Sequence, residues 1–106
     1  MRKPTSQEGT LLEQLVAMAP ETISSHWKDE LLVAPMNDGN MGSLLLFPKG
    51  AVMPEARVLG TQVSEVQFVD QDGIEVIVSL NVDTDGELFE RDVWKTNFSP
   101  LISLPE

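Results

Sequence analysis

The sequence predicts an α+β fold in which an N-terminal helix packs on a four- to six-stranded antiparallel meander sheet. Three observations support this prediction: a helix-capping sequence followed by an apolar stripe, a run of apolar residues at alternate positions, and Asp-Gly turns on both sides of that run. The chain has 106 residues. This length is typical of one domain, so residues 1–106 are expected to form a single domain.

The helix is predicted at about residues 6–19, near the start of the chain. Thr5 and Glu8 have the spacing of a capping box, in which each residue bonds the backbone of the other. An apolar stripe at helical spacing follows, formed by Leu11, Leu12, Leu15, Val16 and Ala19. Pro20 then disfavours a helical conformation for the residue before it, which ends the helix.

The central strand is predicted from apolar residues at alternate positions. These residues are Ile74, Val76, Val78, Leu80 and Val82. Such a period of two is typical of a strand with one buried face, so this strand is expected to anchor the core. Asp-Gln-Asp-Gly precedes it and Asp-Thr-Asp-Gly follows it, and both predict turns. A three-stranded meander over about residues 62–95 is the result.

Two further strands and a packed tail are predicted outside the meander. Short apolar runs at residues 31–36 and 43–47 flank a stretch rich in Asn, Asp and Gly, which favours a turn. Pro35 lacks a backbone N–H, so the first of these strands is expected either to lie at an edge of the sheet or to be interrupted. The tail, residues 95–106, keeps several apolar side chains and is expected to lie over the core as an extended segment.

Charge limits the classes of partner that this chain can bind. The net charge is −10, and residues 54–106 hold eleven acidic and three basic residues. This surplus repels phosphate backbones and attracts basic proteins, so we expect a protein partner and no nucleic acid. No apolar run reaches the roughly 18 residues that span a bilayer. We therefore expect no membrane partner and a cytoplasmic location.

The stretch from Asn81 to Asp92 resembles a calcium-binding loop in spacing. Asn81, Asp83, Asp85 and Asp92 fall on ligand positions, and Gly86 falls on the glycine position. An EF-hand needs helices on both sides, whereas the flanking pattern predicts strands. A two-residue hairpin turn is therefore the favoured interpretation, with no metal and no cofactor. A weak cation site remains the alternative.

No catalytic motif is present. The sequence has no cysteine and a single histidine, His26, without a nucleophile motif beside it. The turn carboxylates are expected to be exposed, so burial would not tune them for acid–base chemistry. We therefore predict no catalytic residues and no enzymatic activity.

The chain resembles a family of small bacterial proteins of unknown function. The resemblance rests on Met-Gly-Ser-Leu after residue 40, on the two Asp-Gly turns, and on Asp-Val-Trp-Lys at residues 92–95. It implies no activity. The family pattern suggests an apolar residue where this chain has Arg91. Either Phe89, Arg91 and Val93 face the core, or Leu88 and Trp94 do at the opposite parity.

The favoured function is that of a small acidic binding protein, an immunity-type protein that neutralises a basic partner such as a bacterial toxin. The acids predicted to contact the partner gather at the two hairpin tips. They are Asp70, Asp72, Asp83, Asp85, Glu87 and Glu90. The alternative is a structural module without catalytic activity that forms a homodimer through the second sheet face, where Ile77 lies among polar residues.

Overall fold

The computed structural model describes residues 2–19, 23, 27–36, 42–48, 58–84 and 86–104. Its elements in chain order are α1 (Ser6–Met18), β1 (Leu32–Pro35), β2 (Leu44–Phe47), β3 (Leu59–Val69), β4 (Glu75–Asp83) and β5 (Leu88–Lys95). The predicted α+β class is confirmed, since the N-terminal helix packs on a five-stranded antiparallel sheet. The predictions for His26, Asp85 and the turn at residues 37–41 lie outside the described residues. No described helix has the length and hydropathy needed to cross a membrane.

The helix begins with the capping box that the sequence predicts. Thr5 Oγ1 accepts a hydrogen bond from the Glu8 backbone N–H at 3.2 Å, and a Glu8 carboxylate oxygen accepts one from the Thr5 N–H at 2.8 Å. The Glu8 carboxylate also accepts two hydrogen bonds from the Arg2 guanidinium, at 2.7 and 2.9 Å. These bonds from Arg2 hold the pKa of Glu8 below its ordinary value. The hydrogen bonds of the capping box and the ion pair between Arg2 and Glu8 therefore both stabilise the N-terminus of the helix.

The sheet has the strand order β1-β2-β5-β4-β3, and every neighbouring pair is antiparallel. The predicted meander is therefore present as β3, β4 and β5, and the β1–β2 hairpin joins it beside β5. Pro35 lies in an edge strand, as predicted. The backbone of Arg2 pairs with Val33 along the outer edge of β1, through N···O distances of 2.9 and 2.6 Å. Strand β3 forms the opposite edge.

The core lies between α1 and one face of the sheet. Val76, Val78 and Leu80 of β4 are fully buried there, in one cluster with Leu12 and Leu15 of the helix. Burial of each of these aliphatic side chains contributes roughly 1.5–3 kcal/mol, so the alternating strand anchors the fold as predicted. We call this face of the sheet the helix side. The opposite face is the outer face.

An extra residue in β5 settles the question of its parity. Val82 pairs with Leu88 and Asn81 pairs with Glu90, which leaves Phe89 between them as a β-bulge. The bulge changes the alternation, so residues of both parities are buried in β5. These residues are Leu88, Arg91, Val93 and Lys95. Both interpretations of the sequence are thus partly right for the inward residues, whereas Trp94 is 45% exposed.

The two hairpin turns share one geometry. The Asp70 N–H donates to the Ile74 carbonyl at 2.9 Å, and the Gly73 N–H donates to the Asp70 carbonyl at 2.9 Å. The turn between β4 and β5 repeats these bonds at 2.8 and 3.0 Å. Gly73 and Gly86 have φ of 80° and 81°, the left-handed region that glycine tolerates. The predicted two-residue loop is therefore wrong, since each loop has three residues and its third must be left-handed.

Candidate functional site

Two of the predicted partner-binding acids surround the ammonium group of Lys95. Lys95 Nζ lies 2.9 Å from an Asp70 carboxylate oxygen and 2.6 Å from an Asp72 oxygen, and it donates to the Pro100 carbonyl at 3.2 Å. The Lys95 and Asp70 side chains are 1% and 0% exposed. Burial alone would lower the pKa of Lys95, but the bonds to Asp72 and Asp70 outweigh it and raise the pKa. The first hairpin therefore contains an ion cluster in which Lys95 and Asp70 are buried and Asp72 is partly exposed.

Asp70 also holds the C-terminal tail. Its carboxylate accepts hydrogen bonds from the backbone N–H groups of Gln71, Ile102 and Ser103, at 2.8, 2.9 and 3.2 Å. Burial alone would raise the pKa of Asp70, but these bonds and the Lys95 ammonium outweigh it and hold the pKa well below 3.8. The tail is thereby fastened across the end of the sheet, where Leu101 packs against the core as predicted.

The acids of the second hairpin tip divide between turn and solvent. Asp83 is buried, and one of its carboxylate oxygens accepts a hydrogen bond from the Glu87 N–H at 3.0 Å. Glu87 is exposed. The expectation that the predicted acids are exposed must therefore be corrected for Asp70 and Asp83, because both carboxylates are used to cap backbone N–H groups. Their role in binding a partner stays a prediction.

Glu90, another predicted acid, belongs to a polar cluster on the outer face. Asn81 Nδ2 donates to Glu90 Oε1 at 3.2 Å and to Asp92 Oδ2 at 3.0 Å. Partial burial raises the pKa of Glu90, and the nearby charge of Asp92 raises it further. Both carboxylates depend on one neutral amide donor, so a cation from another molecule would relieve their repulsion.

Replacing Glu90 with glutamine is expected to raise the free energy of unfolding at pH 7 by about 0.5 kcal/mol, because like charges on neighbouring positions repel. A raised carboxyl pKa penalises the folded state above that pKa, and the penalty disappears as the pH falls toward 4.5, the ordinary value. The gain should thus be present at pH 7 and absent near pH 4. Thermal unfolding of Glu90→Gln and of the exposed control Glu87→Gln at both pH values tests this, and a gain that persists in acid would contradict it.

Strand register places acidic and apolar side chains together on the outer face. Glu65, Ser79 and Asp92 lie side by side across β3, β4 and β5. The next row toward the first hairpin holds Gln67, Ile77 and Trp94. The Trp94 ring lies 6.0 Å from the exposed ring of Phe98, centroid to centroid. An apolar centre with a charged rim is the usual anatomy of a protein-binding surface.

Among the residues that the structure describes, lysine and arginine are absent from the outer face. In residues 58–84 and 86–104 the basic side chains are Arg91 and Lys95, which are buried on the helix side. The exposed basic residues of the other described segments are Arg2, Lys3 and Lys28, and the last two line one cleft beside β1. The described solvent-facing charge of β3 to β5 is therefore entirely negative.

Sequence analysis missed most residues of the outer face. Glu65 and Glu75 enter the sequence-based prediction only through the net charge, Asp92 only as a calcium-loop position and part of a family motif, and Trp94 only as a core candidate and part of that motif. A usable pattern was present, because Glu75 and Ile77 are two positions apart, as are Asp92 and Trp94, and such pairs share a face of a strand. The bulge at Phe89 obscured it in β5.

The described residues that have the spacing of a calcium-binding loop belong to two paired strands and to the turn between them. Asn81 and Asp92 lie on adjacent strands and contact each other through the asparagine Nδ2, a donor that cannot ligate a cation. Asp83 is turned into the hairpin. Within the part of the chain that the structure describes, no three acidic or histidine side chains are grouped so that they could hold a metal ion.

Comparison with known proteins gives a family and no activity. The family model described as Domain of unknown function (DUF6984) matches residues 1–105. This match confirms the resemblance to a family of unknown function that the sequence motifs indicate. No curated protein and no solved structure matches the chain.

Proposed function

We propose that this chain, which belongs to the DUF6984 family, is a binding protein rather than an enzyme, and that its acidic outer face docks onto a basic protein surface. The corresponding role is that of an immunity-type protein, which covers the basic cleft of a bacterial toxin. One observation carries the proposal. The two described basic side chains of β4, β5 and the tail, Arg91 and Lys95, are buried on the helix side, so the described charged side chains of the outer face are all acidic.

Charge complementarity supports the proposal in two ways. Acidic side chains that surround an approach path increase the rate at which a cationic partner associates. Trp94, which is 45% exposed, provides a flat aromatic surface that can pack on a lysine or arginine of that partner. Glu90 and Asp92 beside it share one amide donor and gain from a cation between them.

The test begins with affinity capture from the native cells and identification of the bound protein by mass spectrometry. The association rate of the purified partner is then measured for Glu65→Gln/Glu75→Gln, which removes two exposed acids of the outer face. The matched control is Glu13→Gln/Glu30→Gln, which makes the same change in net charge on exposed residues of the helix and of the turn before β1.

The outer-face double variant is expected to associate about three- to tenfold more slowly at low salt, and the control less than about twofold more slowly. The difference should shrink as salt screens the charges. An identified partner with an acidic surface would refute the proposal. Equal association rates for the two double variants would refute it as well.

A further inference from the structure

The outer edge of β3 is an exposed strand edge of unusual regularity. From Ser64 to Val69 this strand pairs with β4 without a register shift, whereas its first half contains two irregularities. Bulges, lysines and prolines are the common protection of an exposed edge. The segment from Ser64 to Val69 has none of these, and Glu65 is its single charged residue.

Unpaired backbone groups of this edge point outward at alternate residues. The Asp70 N–H bonds to the Ile74 carbonyl, so Asp70 faces β4. Hydrogen-bonded and non-hydrogen-bonded positions alternate in an antiparallel pair, which turns the N–H and C=O of Glu65, Gln67 and Val69 away from β4. No described strand pairs with them on that side. Their side chains are exposed on the outer face.

The other edge of the sheet is different. Strand β1 has four residues, one of them Pro35, and the backbone of Arg2 already pairs with Val33 along it. A strand can therefore be added at β3 with less obstruction than at β1. Strand addition derives its affinity from backbone hydrogen bonds and its specificity from alternate side chains.

We infer that the β3 edge, Ser64 to Val69, accepts an extended cationic segment of the partner as a sixth, antiparallel strand. This inference rests on the proposed function and adds its mode of binding. Charge complementarity selects the occupant, because side chains of the added strand on the outer face lie opposite Glu65 and share that face with the acids of β4 and β5. A second copy of the chain would instead bring a net charge of −10 against −10.

The probe is the peptide acetyl-Lys-Val-Lys-Val-Lys-Val-amide. With lysines on the outer face, an antiparallel strand directs the lysine N–H groups at β3 and the valine N–H groups away from it. N-methylation of the three lysine amides should therefore weaken binding by at least about tenfold, since the loss of even one of the three hydrogen bonds costs about that much. N-methylation of the valine amides is the matched control, with equal charge and equal methyl content, and should bind as the parent peptide does.

The protein carries the complementary test. Gln67→Pro removes an outward N–H without removing a bond to β4, and should weaken peptide binding by about tenfold relative to Gln67→Ala. Slowed hydrogen exchange at the amides of Glu65, Gln67 and Val69 on addition of peptide would support strand pairing. Unchanged exchange at these amides would contradict it.

The outcomes separate this inference from the proposed function. Equal binding of both methylated peptides, together with normal binding by Gln67→Pro, would overturn strand addition while leaving charge-driven docking intact. A parent peptide that does not bind at all would also overturn it. Sedimentation showing a dimer that Gln67→Pro dissociates would assign the edge to a second copy and refute the cationic strand. Docking itself is judged separately, by the association rates of the identified partner.

Discussion

Replacing Asp70 with alanine is expected to lower the free energy of unfolding by about 3 kcal/mol, because it breaks a buried ion pair and leaves backbone donors without an acceptor. Asp70 accepts bonds from Gln71, Ile102 and Ser103 and lies 2.9 Å from Lys95 Nζ. Urea unfolding followed by tryptophan fluorescence measures the loss. Hydrogen exchange at the Ile102 and Ser103 amides should accelerate, since the tail loses its fastening.

Two variants show whether the effect comes from the carboxylate of Asp70. Asp72→Ala removes the less buried carboxylate partner of Lys95, since the Asp72 side chain is 35% exposed. This substitution should lower the free energy of unfolding clearly less than Asp70→Ala does. Asp70→Asn keeps the shape and one acceptor oxygen but loses the charge, so its stability should fall between that of the native protein and that of Asp70→Ala. Equal losses for Asp70→Ala and Asp72→Ala would show that Asp70 has no special role.

The dependence of stability on pH follows from the same cluster. Asp70 and Asp72 have pKa values below the ordinary 3.8 in the folded state, so their contribution is full above about pH 4 and is lost as the pH falls through the lowered values. Lys95 has a raised pKa, so its contribution is full below 10.5 and is lost as the pH rises through the raised value. The acid limb of the stability curve should flatten in Asp70→Ala.

Local patterns predicted the elements of this fold well. The Thr5–Glu8 capping box and the apolar stripe placed the helix within one residue of its observed end at Met18. Alternation placed β4 because the buried aliphatic residues of that strand, Val76, Val78, Leu80 and Val82, all lie on the same face. Both patterns depend on contacts between near neighbours, and such contacts can be recognised in a sequence.

The positions of the acids could not be predicted in this way. Asp70 and Lys95 are 25 positions apart in the chain, and they meet because Val76 pairs with Lys95 across the sheet. That register depends on the β-bulge at Phe89, and no turn-forming residue in the sequence indicates a bulge at this position. An acidic turn residue usually faces water, so only the knowledge that Lys95 is buried would have indicated that Asp70 must be buried with it.

Arg91 is the second buried cation of β5, and it differs from Lys95 in its hydrogen bonds. Its side chain lies on the helix side, where Nη2 donates to the Gly42 carbonyl at 2.8 Å. Within the part of the chain that the structure describes, the Nε and Nη1 atoms have no hydrogen-bond partner. Burial lowers the pKa of Arg91 to about 10, and the charge of Glu8 compensates only in part. Desolvation of the guanidinium therefore costs more free energy than its one described hydrogen bond recovers.

Replacing Arg91 with leucine is accordingly expected to raise the free energy of unfolding by about 1–2 kcal/mol, since each buried unsatisfied donor costs about 1 kcal/mol or more. The lost bond to the Gly42 carbonyl offsets part of the gain. Leucine should fit the surroundings of Arg91, because Leu44 and Leu80 are its partners in the neighbouring strands. Urea unfolding at pH 7 measures the change.

Lys95→Leu is the matched control, since it removes the other buried cation of β5 by the same substitution. Lys95 has carboxylate partners, so its loss leaves Asp70 buried without a counter-ion and should destabilise the protein. The two variants are thus expected to differ in sign. Destabilisation by both would show that the Arg91 guanidinium is satisfied in solution, by water or by a neighbouring group. If Arg91→Leu stabilises the protein and Lys95→Leu does not, then a buried basic side chain in this sheet lowers the free energy of unfolding unless it is paired with carboxylates.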